Sequence, residues 1–259
     1  MDPETAPTLR ILVGTRAGVR MAEEVAAGFG DRVRVKVALA GPVPVPSGCT
    51  VDRIGGGPAA LAGAAAVIEA LDPFDRDGFR EARAVAAELG VPMLAFRPPG
   101  WHRHPLDRWV EVRDLPGAAG VVAGLGRTVL LALPEPDLAA FEGVEGIAFP
   151  VRLARAPVRW EHPDRFPPHA CPPPRHPVAD IGLLRRCAAA AVVMRATGCA
   201  DDAPLVEAAR ALDLPVVMIR RPVVRGDVPA RTAAAALDWV EATLAGVRRK
   251  PARDVPAWR

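Results

Sequence analysis

At 259 residues with half of them hydrophobic, the chain has apolar material for one large α/β domain or two of about 120 residues each. A formal net charge of +3, much of it in the stretch "GVRRKPARDVPAWR", comes without a basic face interleaved with aromatics. That pattern excludes a nucleic-acid surface and suits an anionic small molecule instead. The longest apolar stretches, such as "AALAGAAAVI", fall short of a membrane span, and "MDPETAPTLR" carries no apolar stretch after a basic start, so a cytoplasmic protein without membrane contact is expected.

In chain order, "RILV" reads as a strand that meets Gly14 and Thr15, with helical spacing from about Gly18 to Ala27. A strand, a tight turn and a helix start are a place where an anion can sit, although only Gly14 and Gly18 of a GxGxxG pattern are present. "RVRVKVALAG" alternates like a half-buried strand, and "VDRIGGG" is a short strand running into Gly55, Gly56 and Gly57. "AAVIEAL" is a strand that stops at "DPF", because a proline turns the residue before it away from helix. "DGFREARAVAAELGVPMLAF" reads as helix, glycine stop and strand, the mark of a parallel βαβ unit. "RPPGWHRHPLDRWVEV" is a proline-broken crossover returning in a short strand.

The second half repeats the theme. "GRTVLLAL" is a strand, "EPDLAAF" a short helix, and "GIAFPVRLARAP" strand-like. "EHPDRFPPHACPPPRHP" is a loop that can be neither helix nor central strand. "IGLLRRCAA" is a helix, "AAVVMRATG" a strand into a turn, and "DDAPLVEAARALDLPVVMIRRP" another helix and strand. "DVPARTAAAALDWVEATLAG" closes as an amphipathic helix with Leu237, Val240 and Leu244 on one side. The stretches "REARAVAAELGVPMLAFRPP" and "VEAARALDLPVVMIRRPVV" use one helix–strand–proline device, once per half. The expectation is therefore an α/β protein of two tandem Rossmann-like domains with mostly parallel sheets and a ligand cleft between them. Residues 9–124 form the first, 125–247 the second, and 248–259 a basic tail.

Cys49, Cys171, Cys187 and Cys199 are scattered without a CxxC pair. Neither a disulfide framework nor a thiolate metal site is expected from them. His102, His104, His162, His169 and His176 lie in proline-rich stretches with no i,i+4 pair on a helix, so no metal is expected.

The order of elements resembles the precorrin-6A reductase family of corrin ring biosynthesis, from Ile11 to about Ala245. Where that family has a strand and a Gly-Gly-Thr turn, this chain has Val13, Gly14 and Thr15. Ala40, Gly41 and Pro42 stand for Ala-Gly-Arg, and Gly55 to Gly57 loosely match a glycine-rich stretch. Glu69, Ala70, Leu71, Asp72, Pro73 and Phe74 stand for Asp-Ala-Thr-His-Pro-Phe, while Arg195, Ala196, Thr197 and Gly198 fall on a Lys-Asn-Ser/Ala-Gly turn. "GVPMLAFRPPGW", "DRWVEV" and "ARALDLPVVMIRRP" are also very like the family.

The resemblance implies hydride transfer from NADPH to a precorrin double bond, without flavin or metal, on an acidic tetrapyrrole substrate. Transient contact with other enzymes of the corrin pathway is compatible with it. It puts the cofactor at Gly14, Thr15, Arg16, Gly41, Gly55, Gly56, Gly57, Thr197 and Gly198. Asp72 and Arg195 take the catalytic positions, and Pro73, Phe74, Arg97, Trp101, Arg152 and Arg175 the substrate contacts. The substitutions at Asp72, Arg195, Ala196 and Pro42 leave a second expectation open, a paralogue that binds a tetrapyrrole or helps assemble the pathway without catalysis. From the residues alone, Gly14 to Arg16 read equally as a phosphate cradle or a plain βα turn. Asp72 also reads as a helix cap.

Overall fold

The computed structural model describes residues 6–41, 43–52, 61–155, 159–160, 163–172, 176–223 and 228–247. The first elements are β1 (Thr8–Val13), α1 (Arg16–Phe29), β2 (Arg34–Leu39), β3 (Thr50–Val51), β4 (Ala64–Ala70), α2 (Arg76–Glu88) and β5 (Met93–Ala95). Next come β6 (Trp109–Val112), α3 (Leu115–Val122), β7 (Val129–Ala132), a 3-10 helix (Glu135–Phe141), β8 (Val151–Leu153) and β9 (Pro168–Ala170). The last described elements are α4 (Pro177–Arg186), β10 (Ala191–Arg195), α5 (Ala203–Ala211), β11 (Val216–Ile219) and α6 (Ala233–Val247). No helix of the described residues is long and apolar enough to cross a membrane.

These elements form two compact units, one from Met1–Pro99 with Val224–Arg259 and one from Gly100–Val223. In the first, five parallel strands run in the order β3-β2-β1-β4-β5. Alternation along β1 sends Leu9, Ile11 and Val13 to one face, where Met21, Val25 and Phe29 of α1 and Ala236, Val240 and Leu244 of α6 cover them. The opposite face packs Val67 against Leu61 and against Val85 and Ala86 of α2.

The second unit is a six-stranded parallel sheet in the order β6-β11-β10-β7-β8-β9. Ranked from β7 onward, its strands β9-β8-β7-β10-β11 repeat the order of the first unit, with β6 added at one edge. Leu183, Leu184, Leu205, Ala208 and Ala209 of α4 and α5 bury Leu130, Val192, Met194, Val216 and Met218 on one face.

Three helices start by one local rule. Thr15, Asp75 and Asp114 each accept from the backbone N–H of a glycine three residues on: Gly18 (3.0 Å), Gly78 (2.9 Å) and Gly117 (3.0 Å). Such a cap satisfies an N–H that the helix itself leaves without a partner. The α2 cap is therefore Asp75, and Asp72 is not the helix cap that the sequence suggested.

The tandem α/β plan agrees with the sequence reading, but the boundary near 124 is displaced. Strand β6 pairs with β11 along Trp109↔Val216 to Val112↔Ile219, so it belongs to the second sheet. Helix α6 returns to the first unit, and α3 lies where no element was expected. Among the described residues of the strand-like "GIAFPVRLARAP", β8 takes the three from Val151 to Leu153. The proline-rich loop contributes β9 at a sheet edge, where proline is tolerated. Gly55, Gly56, Gly57, Arg175 and the 248–259 tail lie outside the described residues.

Candidate functional site

In a parallel sheet of this strand order, the chain leaves β1 in one direction and β4 in the other, opening a crevice at their carboxyl ends. Gly14 and Thr15 follow β1 there, and Leu71 to Phe74 follow β4. The two turns are in close contact. Gly14 N–H donates to the Ala70 carbonyl at 3.1 Å, and a Cβ on Gly14 would lie 3.1 Å from both the Asp72 nitrogen and the Leu71 Cα. Gly18, in the first turn of α1, allows that helix onto the strand end, because its Cβ would meet that of Ala70 at 2.9 Å. Both glycines permit a close approach of backbone that a side chain would block.

Arg16 is the exposed first residue of α1. Gly41 follows β2 with φ at +88°, and a Cβ there would meet nothing within 4 Å. Asp72 accepts from the Phe74 N–H at 2.8 Å, which closes the Asp72–Pro73–Phe74 turn over the end of β4. The structure thus brings Gly14, Thr15, Asp72, Pro73 and Phe74 together.

Beneath this turn lies a buried acidic group. Glu69 is fully buried, accepts from the Leu71 N–H at 2.8 Å, and is paired with Arg97, itself only 16 % exposed in its side chain. Burial pushes the Glu69 carboxyl above its usual range, against the opposing pull of Arg97 and the Leu71 N–H. Arg97 also donates to the Phe96 carbonyl at 3.0 Å and lies over the Phe79 ring. The signal was present in the sequence: one acid inside an otherwise apolar strand.

In the second unit the equivalent crevice lies beyond β7 and β10. Arg195 ends β10 and donates to Asp137 of the 3-10 helix at 2.7 Å. Thr197 and Gly198 follow, with φ at +67° for Gly198 and the Thr197 hydroxyl accepting from the Cys199 N–H at 3.2 Å. Arg221, beyond β11, donates to the carbonyls of Ala196 (2.7 Å) and Thr197.

The expected substrate contact at Arg152 is corrected. The Arg152 side chain is 2 % exposed, gripped by Asp180 at 2.8 and 2.9 Å and by Asp202 at 3.1 Å. Its charge serves an internal ion-pair network, since a guanidinium so enclosed has no face to offer a ligand. Trp101 packs against the apolar cluster of β10, β11, α4 and α5, with its indole nitrogen buried.

The model of the family described as precorrin-6x reductase CbiJ/CobK matches residues 8–241. The chain belongs to the precorrin-6A/6x reductase family. It is 32 % identical over 253 residues to a precorrin-6A reductase of Rhodobacter capsulatus, covering 92 % of this chain and 95 % of that one. A Mycobacterium tuberculosis precorrin-6A reductase is 32 % identical over 85 % of this chain and 91 % of its own. The match to the Rhodococcus erythropolis precorrin-6A reductase, 30 % identical, spans 63 % of that protein. A solved structure of CobK precorrin-6A reductase superposes with a TM-score of 0.79 at 28 % identity, over 92 % of this chain and 97 % of that one. Two parallel sheets flanked by helices are thus the architecture this family shares, and the family is one of oxidoreductases.

Proposed function

We propose that this protein reduces precorrin-6A to its dihydro form with NADPH, binding the dinucleotide at the carboxyl edge of the first unit. The observation that carries the reading is the turn at Gly14–Thr15, which starts a fourteen-residue helix at the β1/β4 switch point. The residues there fit such a group. The positive end of α1 and the Arg16 charge suit a pyrophosphate, while a Cβ on Gly41 would meet nothing within 4 Å, which leaves space at the end of β2 for a ribose. NADPH, when bound, supplies the hydride that adds to one carbon of the ring double bond, and a proton adds to the other.

The chain's own part is to bind, orient and exclude water. Thr15 fixes the start of α1 through Gly18, and Gly14 lets the Leu71–Phe74 turn close against it. Pro73 and Phe74 present an apolar surface suited to a macrocycle, and Asp72 keeps that turn closed through the Phe74 N–H. Thr197 and Gly198, with Arg195, form the corresponding turn of the second unit, where a cation suits a substrate carboxylate or a phosphate.

A titration comparing NADPH with NADH, followed by anaerobic turnover of precorrin-6A, tests the reading. NADPH is expected to bind the more tightly and to be oxidised only with substrate present. If neither nucleotide binds more tightly than millimolar, the proposal fails. The Arg195–Asp137 pair favours a second reading, in which the turn is neutralised and the protein binds a tetrapyrrole without reducing it. A shift in corrinoid absorption without NADPH oxidation would select that reading, and turnover above background would eliminate it.

A further inference from the structure

We propose that Arg97 and Arg221 are equivalent positioning residues, one in each unit, holding the ligand-bearing turn after the fourth strand of each sheet in its working shape. The inference rests on the proposed function, because that reading makes these turns part of the site. The equivalence itself comes from strand register. Glu69 of β4 is paired with Ala95 of β5, and Arg195 of β10 with Ile219 of β11. Arg97 lies two residues past Ala95 and precedes Pro98, and Arg221 lies two residues past Ile219 and precedes Pro222.

Both arginines turn back across the neighbouring strand end. Arg97 donates to the Glu69 carboxylate and lies 3.4 Å from the Glu69 carbonyl, and that carboxylate in turn holds the Leu71 N–H. Arg221 donates to the carbonyls of Ala196 and Thr197 within the turn. The proline after each arginine brings no N–H and restricts the backbone that carries the guanidinium. A planar fork that engages two acceptors fixes both position and angle, which a point-like ammonium does not do. The second unit makes the contact through carbonyls and the first through a buried carboxylate, yet the device and its location are the same.

The experiment uses the full chain with Arg221→Ala, Arg221→Lys, and Arg97→Ala in a Glu69→Gln background, which avoids leaving a buried carboxylate without its cation. Amide exchange at Leu71, Phe74 and Cys199 reports the turns directly, and steady-state kinetics report the reaction. The Ala variants should exchange about tenfold faster at the amides of the affected turn, with the sheet amides unchanged. Their kcat/KM for precorrin-6A should fall by about tenfold or more, with lysine failing to rescue and added guanidinium restoring part of the loss. Unchanged turn amides overturn the proposal. So do faster amides with kcat/KM within about twofold of an active wild type. A wild type that neither binds NADPH nor reduces precorrin-6A defeats the proposed function. The exchange measurement then decides the clamp alone, faster turn amides supporting it and unchanged ones refuting it.

Discussion

A Cβ on Gly18 would lie 2.9 Å from the Cβ of Ala70 and 3.1 Å from the Ala70 carbonyl oxygen, so the first turn of α1 rests directly on the end of β4. The contact is with fixed strand atoms rather than a flexible side-chain tip. Gly18→Ala must therefore shift the helix, and it is expected to destabilise the protein by about 1–3 kcal/mol despite alanine's better helix propensity. Gly28, on the same helix, would meet only the Leu237 side-chain tip at 3.4 Å. Gly28→Ala should be neutral or stabilising by up to about 1 kcal/mol. Urea denaturation of the two variants checks the contrast, and equal effects would refute the close approach.

Thr15 tests the capping of that helix. Its hydroxyl oxygen accepts from the Gly18 N–H at 3.0 Å, so Thr15→Ala should cost about 0.5–2 kcal/mol and Thr15→Ser only a few tenths. Because the same helix end is the proposed phosphate site, NADPH affinity should weaken in the alanine variant and hold in the serine variant. Calorimetry with both variants measures this, and identical affinities would separate the cap from the ligand.

The elements with strong periodicity and a glycine or proline boundary were legible in the sequence: β1, α1, β4, α2 and the pair α5 and β11. Gly14 and Thr15 were legible as a strand-to-helix turn because a strand meeting a glycine and then helical spacing has one common geometry. Sheet membership was not. The alternation in "WVEV" is the same whichever sheet β6 joins, and only pairing with β11 decides it. Helix α3 was hidden because "LPGAAGVV" carries a proline and two glycines and no amphipathic period. Arg152 reads from the sequence as a ligand contact because a sequence does not display its partners, Asp180 and Asp202, which lie 28 and 50 residues away. Glu69 was named within its motif, but its burial and its bond to Arg97 depend on the packing of β4 against β5.

The buried Glu69 sets a pH dependence whose sign is fixed. Burial raises its carboxyl above the usual range, with Arg97 and the Leu71 N–H pulling the other way. A group that binds its proton more tightly in the folded state contributes stability that is complete below the unfolded value and is lost as pH rises through the folded value. Glu69→Gln removes that titration, so the stability of wild type relative to the variant should decline as pH climbs from about 4 toward 8. Chemical denaturation of both across that range reads the difference, and a flat or rising curve would refute the assignment. Arg97→Met, which strips the cation from the buried carboxylate, should cost about 3–5 kcal/mol, and less in the Glu69→Gln background.

Arg195 separates a ligand-bearing turn from a structural one. Its guanidinium lies 2.7 Å from the Asp137 carboxylate, whose side chain is only 8 % exposed. A solvent arginine would be dispensable at less than about 0.5 kcal/mol. Arg195→Ala should cost more, about 1–3 kcal/mol, because a nearly buried carboxylate loses a cationic donor. A loss of affinity in that variant alone would therefore be ambiguous. Adding Asp137→Asn removes that carboxylate charge and should recover part of the stability. If Arg195 also meets the ligand, the double variant should still bind NADPH or a precorrin analogue about tenfold more weakly, or about 1.4 kcal/mol. Calorimetric titration of both ligands into wild type, single and double variants decides it. Recovered stability with unchanged affinity for both ligands would leave Arg195 as a strut between β10 and the 3-10 helix, and the ligand would have to be held by Thr197, Gly198 and the turn that Arg221 clamps.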